Sequence, residues 1–489
     1  MVKSNKSKNH RNRKNKGISK NVVKARKIDA STPYETCSEQ LSPFGGLLAM
    51  IKFFDLIGFK EIFHAVYCAP TRVPKLGHYS MVVGLLMLLF IGFNRIWHFT
   101  YLRLDAILCG FFRIPKLPVA TTFWRYLDSM GINQAQSLLK LMSILRERAW
   151  QQLDLSYSRI CLDIDTTVET LYGNQQGGRK GHNRKHRGKK GYRPVLCFIE
   201  ETREYLIGKL RKGETMSGKQ TAAFISRIKA QLPGCVRKVL LRADGEFHGW
   251  ESIQAAKRNH FDFIIANKGS QPPFGTEGWY RPRKRRDMEY NSCLYQPLWW
   301  EAPCRFVAMR VLKDQSVHNQ YALFEEDNYT YRIFCTSLSG PAHKVIDKYD
   351  KRADVENLVG EAKREGLEAV PSAKFKNNYA FFQLVMLSYN IWRYMKLLAS
   401  KSQENKKNLK ETASLKTVAS NTIRIARLKM LLVAAKIVRD QNRDKVKYSV
   451  HDARTPAMIR FLEFLDKARF KPKPWAVGGL WPQRFVLET

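Results

Sequence analysis

Tyr349, Arg352, Glu356 and Lys363 stand at offsets of three, seven and fourteen residues from the first of them. On a single α-helix that spacing confines all four to a sector of about 60°. A carboxylate flanked by two cations can take a divalent metal while the cations take the oxygens of a phosphate. The same stripe is also what a solvated face would show, with Arg352 and Glu356 as an i, i+4 ion pair worth only about 0.3 to 0.5 kcal/mol. Whether it forms a site depends on further carboxylates.

Two aspartates close predicted strands. Asp165 ends Ile160-Cys-Leu-Asp-Ile-Asp ahead of Thr166 and Thr167, and Asp244 ends Val239-Leu-Leu-Arg-Ala-Asp ahead of Gly245. Either could be an ordinary turn starter, because Asp is favoured where strands end. A carboxylate at the mouth of a sheet is nevertheless costly unless it binds something, and ligands sit beyond strand ends in such sheets. With Glu356 they make three carboxylates, the set that two divalent ions about 4 Å apart require for in-line phosphoryl transfer by water or a 3′-hydroxyl. Magnesium or manganese suits donors that are all oxygen. Asp163 shares a strand face with Asp165, so it either supports Asp165 from behind or is itself the ligand; Asp165 is preferred for its place at the strand end.

The elements that must position these groups are legible in part. Strand-like runs recur at Ser158–Asp165, Tyr192–Ile199, Tyr205–Leu210, Lys238–Ala243 and Phe261–Ala266, with helix-like runs at Lys219–Gln231 and Gly249–Asn259 between them. Strands alternating with helices after a hairpin-like start predict an α/β fold with a mixed sheet covered by helices. Ahead of it, apolar stretches at Leu47–Phe63, Met81–Phe99 and Ala135–Leu145, separated by proline turns, predict an all-helical domain over residues 31–155. Thr121 and Thr122 precede Phe123, Trp124 and Arg125 there. That order fits a recognition helix placing Thr122 and Arg125 on DNA, and equally an ordinary helix cap. Residues 271–336 read as a β-rich insertion containing Trp299 and Trp300. Helical periodicity resumes at Lys344–Glu365 and Tyr379–Leu398. Residues 401–489 read as a polar linker, a basic amphipathic segment over Leu415–Val438 and a helical end near Ala457–Ala468.

Composition narrows the partner. The 489 residues carry 84 Lys and Arg against 43 Asp and Glu, a formal net charge of +41. That excess points to a polyanion, since neutralising phosphates releases condensed counterions. Eleven of the cations lie between Lys3 and Lys27, in a tail (residues 1–30) without apolar periodicity. Another basic run, His182–Lys190, is expected at a hairpin tip, with Arg184 and Lys185 on the DNA backbone. Nine scattered cysteines without a Cys-x-x-Cys pair fit a reducing compartment, and no His spacing suggests zinc. The longest apolar run, Met81–Phe93, is too short to span a bilayer and reads as a buried helix; no signal peptide is evident.

The order Asp165-Thr-Thr, Arg242-Ala-Asp-Gly, then Tyr349-x2-Arg-x3-Glu-x6-Lys resembles the DDE transposases of bacterial insertion sequences with the Y-R-E-K signature. The text around Leu162-Asp-Ile-Asp-Thr-Thr, Gly173-Asn-Gln-Gln-Gly-Gly-Arg-Lys-Gly and Leu210-Arg-Lys-Gly-Glu-Thr is similar to the thirteen-eighty family of insertion sequences in particular. Thr166, Gly245 and His182 depart from that pattern without removing a carboxylate. The resemblance implies an RNase H-like core over residues 156–270 and 337–400, interrupted by the insertion. It implies that Asp165, Asp244 and Glu356 bind two Mg2+ or Mn2+ ions, and that Tyr349, Arg352 and Lys363 position phosphates. Trp299 or Trp300 would receive a flipped base or else pack in the insertion. The implied activity is cleavage at terminal inverted repeats and joining of 3′-hydroxyl ends to double-stranded target DNA, by a homodimer when two ends are synapsed, in the bacterial cytoplasm at the nucleoid. A noncatalytic DNA-binding derivative, or a nuclease that never joins strands, remains open.

Overall fold

From Gln40 the apolar runs fold, after a two-residue strand β1 (Leu41–Ser42), into seven helices: α1 (Leu47–Leu56), α2 (Phe59–Val66), α3 (Gly77–Ile91), α4 (Phe99–Leu102), α5 (Ala106–Phe112), α6 (Ala120–Ser129) and α7 (Ile132–Leu153). The coordinates are those of a computed structural model that describes residues 26–181, 183, 186–283, 285, 287–313, 329–403 and 414–470. Residues up to Glu39 form a separate unit. Its described part has neither helix nor strand, only a turn in which Thr32 N donates to Asp29 O (3.0 Å). The expected buried helix is α3. Every residue from Met81 to Ile91 is buried, as a helix apolar on every side must be. Among the described residues no single helix is long and apolar enough to cross a membrane.

The sheet follows as β2 (Arg159–Thr166), a small three-stranded flap β3 (Glu169–Thr170), β4 (Arg179–Lys180) and β5 (Lys190–Tyr192), then β6 (Val195–Ile199) and β7 (Glu204–Lys209). Helix α8 (Gly218–Ile228) leads to β8 (Lys238–Ala243), and α9 (Trp250–Arg258) leads to β9 (Phe261–Ala266). Strands β2, β6 and β7 form an antiparallel meander, while β8 and β9 lie parallel to β2 on its other side. The insertion contributes β10 (Glu289–Tyr295), β11 (Cys304–Leu312) and β12 (Tyr329–Thr336). These strands do not stand apart. They extend the same sheet, in the order β10-β11-β12-β9-β8-β2-β6-β7.

Beyond the sheet come α10 (Ala342–Asp350), α11 (Ala353–Ala362) and the 27-residue α12 (Phe375–Lys401). The single helix expected over Lys344–Glu365 is corrected to jointed segments. Around Lys351 and Arg352 the hydrogen bonds run i to i+3, as from Arg352 N to Tyr349 O (2.8 Å) and from Val355 N to Arg352 O (2.9 Å). Past α11 the coil widens into a π turn over Lys363–Leu367 and is broken at Gly366, φ 120°, a backbone conformation that favours glycine. Helix α12 runs along the edge strand β7. Asn390 there accepts from Tyr205 N (2.9 Å) and donates to Tyr205 O (2.8 Å), pairing backbone groups that a bare sheet edge would expose. Glu204, fully buried on β7, accepts from Arg146 (3.1 Å) and Trp150 (2.6 Å) of α7, from Thr202 (2.7 Å) and from Tyr394 of α12. That carboxylate fastens both helices to the sheet.

The C-terminal region is not helical throughout. The basic segment expected as an amphipathic helix over Leu415–Val438 contains the short α13 (Ile423–Met430) and then enters a hairpin, β13 (Ala435–Asp440) and β14 (Arg443–Tyr448). The turn residues Gln441 and Asn442 have φ of 48° and 58°, the sign that tight hairpin turns demand. The two strands pair with each other over six positions and β13 also pairs with β1, and this cross-strand pairing overrides local helix propensity. The expected helical end is α14 (Thr455–Lys467). One continuous core runs from Phe44 to Leu465, so the segments expected as N-terminal, catalytic and C-terminal regions share an interior.

Candidate active site

Strands β2 and β8 are parallel neighbours, in a register that sets Ile164 opposite Ala243. The next residue of each chain segment is Asp165 and Asp244, so the two aspartates leave adjacent strand ends side by side. Burial pushes the Asp165 carboxyl up to about 6; nearby Arg352 opposes the rise and the Asp244 charge adds to it. Asp244 is likewise raised by burial. Two half-desolvated carboxylates at one point are an excess of negative charge that a hard cation relieves, and their oxygens are the donors it prefers.

The joint between α10 and α11 brings Arg352 to the same place. Its Nη2 donates to Asp165 Oδ1 and to Ile164 O, both at 2.9 Å. Burial disfavours that charge, but Asp165, Tyr349 and Asp244 around it hold the guanidinium pKa above its ordinary value. Tyr349 packs on Phe334 of β12 with ring centroids 4.4 Å apart, and burial raises its phenol with Asp244 and Asp165 nearby. Lys363, at the opening of the π turn, donates to Val168 O (3.0 Å) and lies 3.5 Å from Glu368.

Glu356 is not drawn into this group. It is exposed in the first turn of α11 beside Asp354, where acidic residues also favour the positive end of the helix dipole. Among the described residues, no three His, Cys, Asp or Glu side chains converge as a metal-ligand set. Asp163 is occupied differently. Arg242 grips it with two hydrogen bonds of 2.7 Å, both side chains almost fully buried, and also donates to Lys348 O (2.6 Å) at the end of α10. Asp163 therefore holds the frame behind Asp165.

A cavity of about 560 Å3 opens at the Thr166–Thr167 end of β2, one residue on from Asp165, between Asn94 and Arg95 and the Lys363–Arg364 turn. Glu169, on the flap at β3, is wholly buried near it, and burial pushes its carboxyl up to about 8; Lys363 opposes the shift and Glu368 adds to it. A carboxyl raised in the fold stabilises below its unfolded pKa and loses that contribution as pH climbs through the folded one. Between pH 6 and pH 9 the melting temperature of the wild type should thus fall more steeply than that of Glu169→Gln. Parallel curves from differential scanning calorimetry would remove Glu169 from this account.

The remaining expectations fall elsewhere. Thr122 is not a cap, since α6 begins after Val119. Phe123, Tyr126 and Leu127 of α6 face the core and Arg125 is exposed. Trp300 packs against Trp250, His248 and Phe306, whereas Trp299 is 89% exposed at φ 71°. Arg184 and Lys185 lie outside the described residues. Sequence reasoning passed over Arg242, Arg193 and Glu246. Only the run Arg242-Ala-Asp-Gly-Glu hinted at two of them, by placing a cation and a second carboxylate two residues to either side of Asp244.

The transposase DDE domain group 1 family model matches residues 21–470. No curated protein matches the chain in sequence. Among solved structures, the chain is similar to a piggyBac transposase synaptic complex with hairpin DNA, at 12% identity over 77% of this chain and 85% of that one, TM-score 0.34. It is also similar to a pre-cleavage Mos1 transpososome, at 10% identity over 39% and 60%, TM-score 0.16, and to the Mos1 Strand Transfer Complex, at 12% identity over 39% and 58%, TM-score 0.17.

Proposed function

Because the chain belongs to the DDE transposase family, group 1, we propose that it binds the terminal inverted repeats of its own element, cuts DNA there and joins the freed 3′-hydroxyl to target DNA. The observation that carries this reading is the placement of Asp165 and Asp244 at adjacent parallel strand ends, with Arg352 hydrogen-bonded to the first. The strand order β7-β6-β2-β8-β9 supports an RNase H-like core around them. Magnesium or manganese, two ions per site held by Asp165 and Asp244, would supply Lewis-acid charge for the attacking and leaving oxygens, and Glu356, exposed in the free chain, would have to turn inward to join them as the third carboxylate.

The chain's own groups do the rest. Arg352 holds Asp165 in place and presents positive charge where a pentavalent phosphorus gathers negative charge. Tyr349 backs that guanidinium, its ring 6.0 Å from the Arg352 carbon, and Lys363 stands at the cavity mouth as a further cation for phosphate oxygens. Arg242 keeps Asp163 and the end of α10 fixed, so the aspartates and Arg352 share one rigid frame. The exposed Trp299 is the better placed of the two tryptophans to stack on an unpaired base. A homodimer synapsing two ends would present two such sites.

The test is Glu356→Gln in the full chain. Binding to duplexes carrying the element's ends should persist, and Mg2+-dependent strand cleavage should fall by about 10²-fold or more. Cleavage at the wild-type rate would remove Glu356 from the site. Cut ends that accumulate without joined products in the wild type would leave a nuclease in place of a transposase.

A further inference from the structure

The cavity at the Thr166 end of β2 is lined by more positive than negative side chains. Arg95, Arg193, Lys363 and Arg364 all line it, against Glu368 as an acidic lining residue. Arg193 enters from the turn between β5 and β6. Its Nη2 donates to Glu246 Oε2 at 2.5 Å, and the same oxygen accepts from Thr166 Oγ1 at 2.7 Å. Glu246 is in turn tied to the site, its backbone N donating to Asp244 Oδ1 at 3.1 Å. Thus one carboxylate holds an arginine of the flap and the threonine that follows Asp165. The Arg193 side chain is only 13% exposed, and its Nε and Nη1 are screened from solvent without a protein acceptor. Buried guanidinium N–H groups without partners are costly unless a ligand accepts from them.

The geometry points to this cavity as a binding site for a DNA phosphodiester beside the one being cut, with Arg193 as its anion contact and Glu246 as the residue that positions Arg193. The inference rests on the phosphoryl-transfer reading for the placement of the scissile phosphate at Asp165, but not for the binding itself. Guanidinium is the suitable group, because its fork of N–H donors can serve a carboxylate on one side and phosphate oxygens on the other. Arg95 and Arg364 face the same space from the helical region and from the π turn. A single-stranded segment held there would meet cations on three walls while its neighbouring phosphate lies at Asp165.

The probe is the 5′-phosphorylated, 3′-fluorescein-labelled trinucleotide (dT)3, titrated against the full chain by fluorescence anisotropy without divalent cation at several salt concentrations. Arg193→Ala should weaken binding about tenfold and lower the slope of log K against log salt by about 0.7, the share of one single-strand phosphate contact. Glu246→Gln should weaken binding less and leave that slope intact, since it loosens the arginine without removing its charge. Arg193→Lys should recover the slope but not the full affinity. Should Arg193→Ala melt early, Arg193→Gln, which keeps a hydrogen bond to Glu246, gives the same two readouts. Wild-type affinity and slope in a folded Arg193 variant, or no binding of the trinucleotide to the wild type, would overturn the assignment. Trinucleotide binding that depends on Arg193 in a chain that cuts no DNA would keep the cavity and remove the proposed cleavage, so the two readings fail separately.

Discussion

Asp244→Asn should abolish metal-dependent strand cleavage, with a loss on the order of 10³-fold or more, while the chain melts no earlier than the wild type. The two effects have one cause. Burial raises the carboxyl pKa of Asp244, and that of Asp165 beside it, above the ordinary range, so ionising the pair costs the fold free energy. Such groups stabilise below their unfolded pKa and lose that contribution as pH rises through the folded value. At neutral pH without metal, the amide removes a charge that the fold is paying to keep. A divalent cation reverses the balance, because it binds the native pair and scarcely binds the unfolded chain. Mg2+ or Mn2+ should accordingly raise the melting temperature of the wild type and do much less for Asp244→Asn. Single-turnover cleavage together with melting curves with and without metal checks both halves. Undiminished cleavage by the purified variant, or equal metal-induced shifts, would sink the aspartate pair as the centre of the site.

Arg242→Ala should destabilise the fold by about 3–5 kcal/mol, because it leaves the Asp163 carboxylate buried and unpaired. Asp163 would then take up a proton, and the tie from Arg242 to Lys348 O would be lost. That tie holds the end of α10, where Tyr349 and the Arg352 joint begin, so residual folded protein should also cleave poorly. Chemical denaturation measures the first effect. Replacing both residues, as Asp163→Leu with Arg242→Leu, should recover much of the stability, because paired apolar side chains carry no uncompensated charge. If the single and double replacements cost the same, the buried pair is not what secures this part of the sheet.

The sequence shows β2 clearly because its apolar and polar residues alternate. Ile160, Leu162 and Ile164 are buried on one face of β2, and Asp163 and Asp165 lie on the other, as period-2 side chains must. The buried helix at Met81 is legible for a similar reason, its run being apolar on every side. Helical spacing around Tyr349 was legible too, but it presumed an unbroken rotation of about 100° per residue. The i to i+3 bonds at Lys351 and Arg352 change that rotation, which is why Arg352 reaches Asp165 while Glu356 stays in solvent. The hairpin at Ala435 was missed although its two strands are neighbours in sequence, because the helical reading of Leu415–Val438 stopped short of the Gln441-Asn442 turn across which they pair.

By itself, then, the sequence determined which carboxylates end strands, which runs are apolar and how strongly the chain is charged, since residue type and short-range periodicity decide those. Tertiary structure decided that Asp165 and Asp244 adjoin, that Asp163 belongs to Arg242, and that Arg193 and Glu246 meet at Thr166. Each of these depends on the parallel register of β2 with β8 or on the path of the flap. Such registers are set by long-range packing of both sheet faces, and a one-residue slip would leave every local pattern in the chain unchanged while separating the two aspartates.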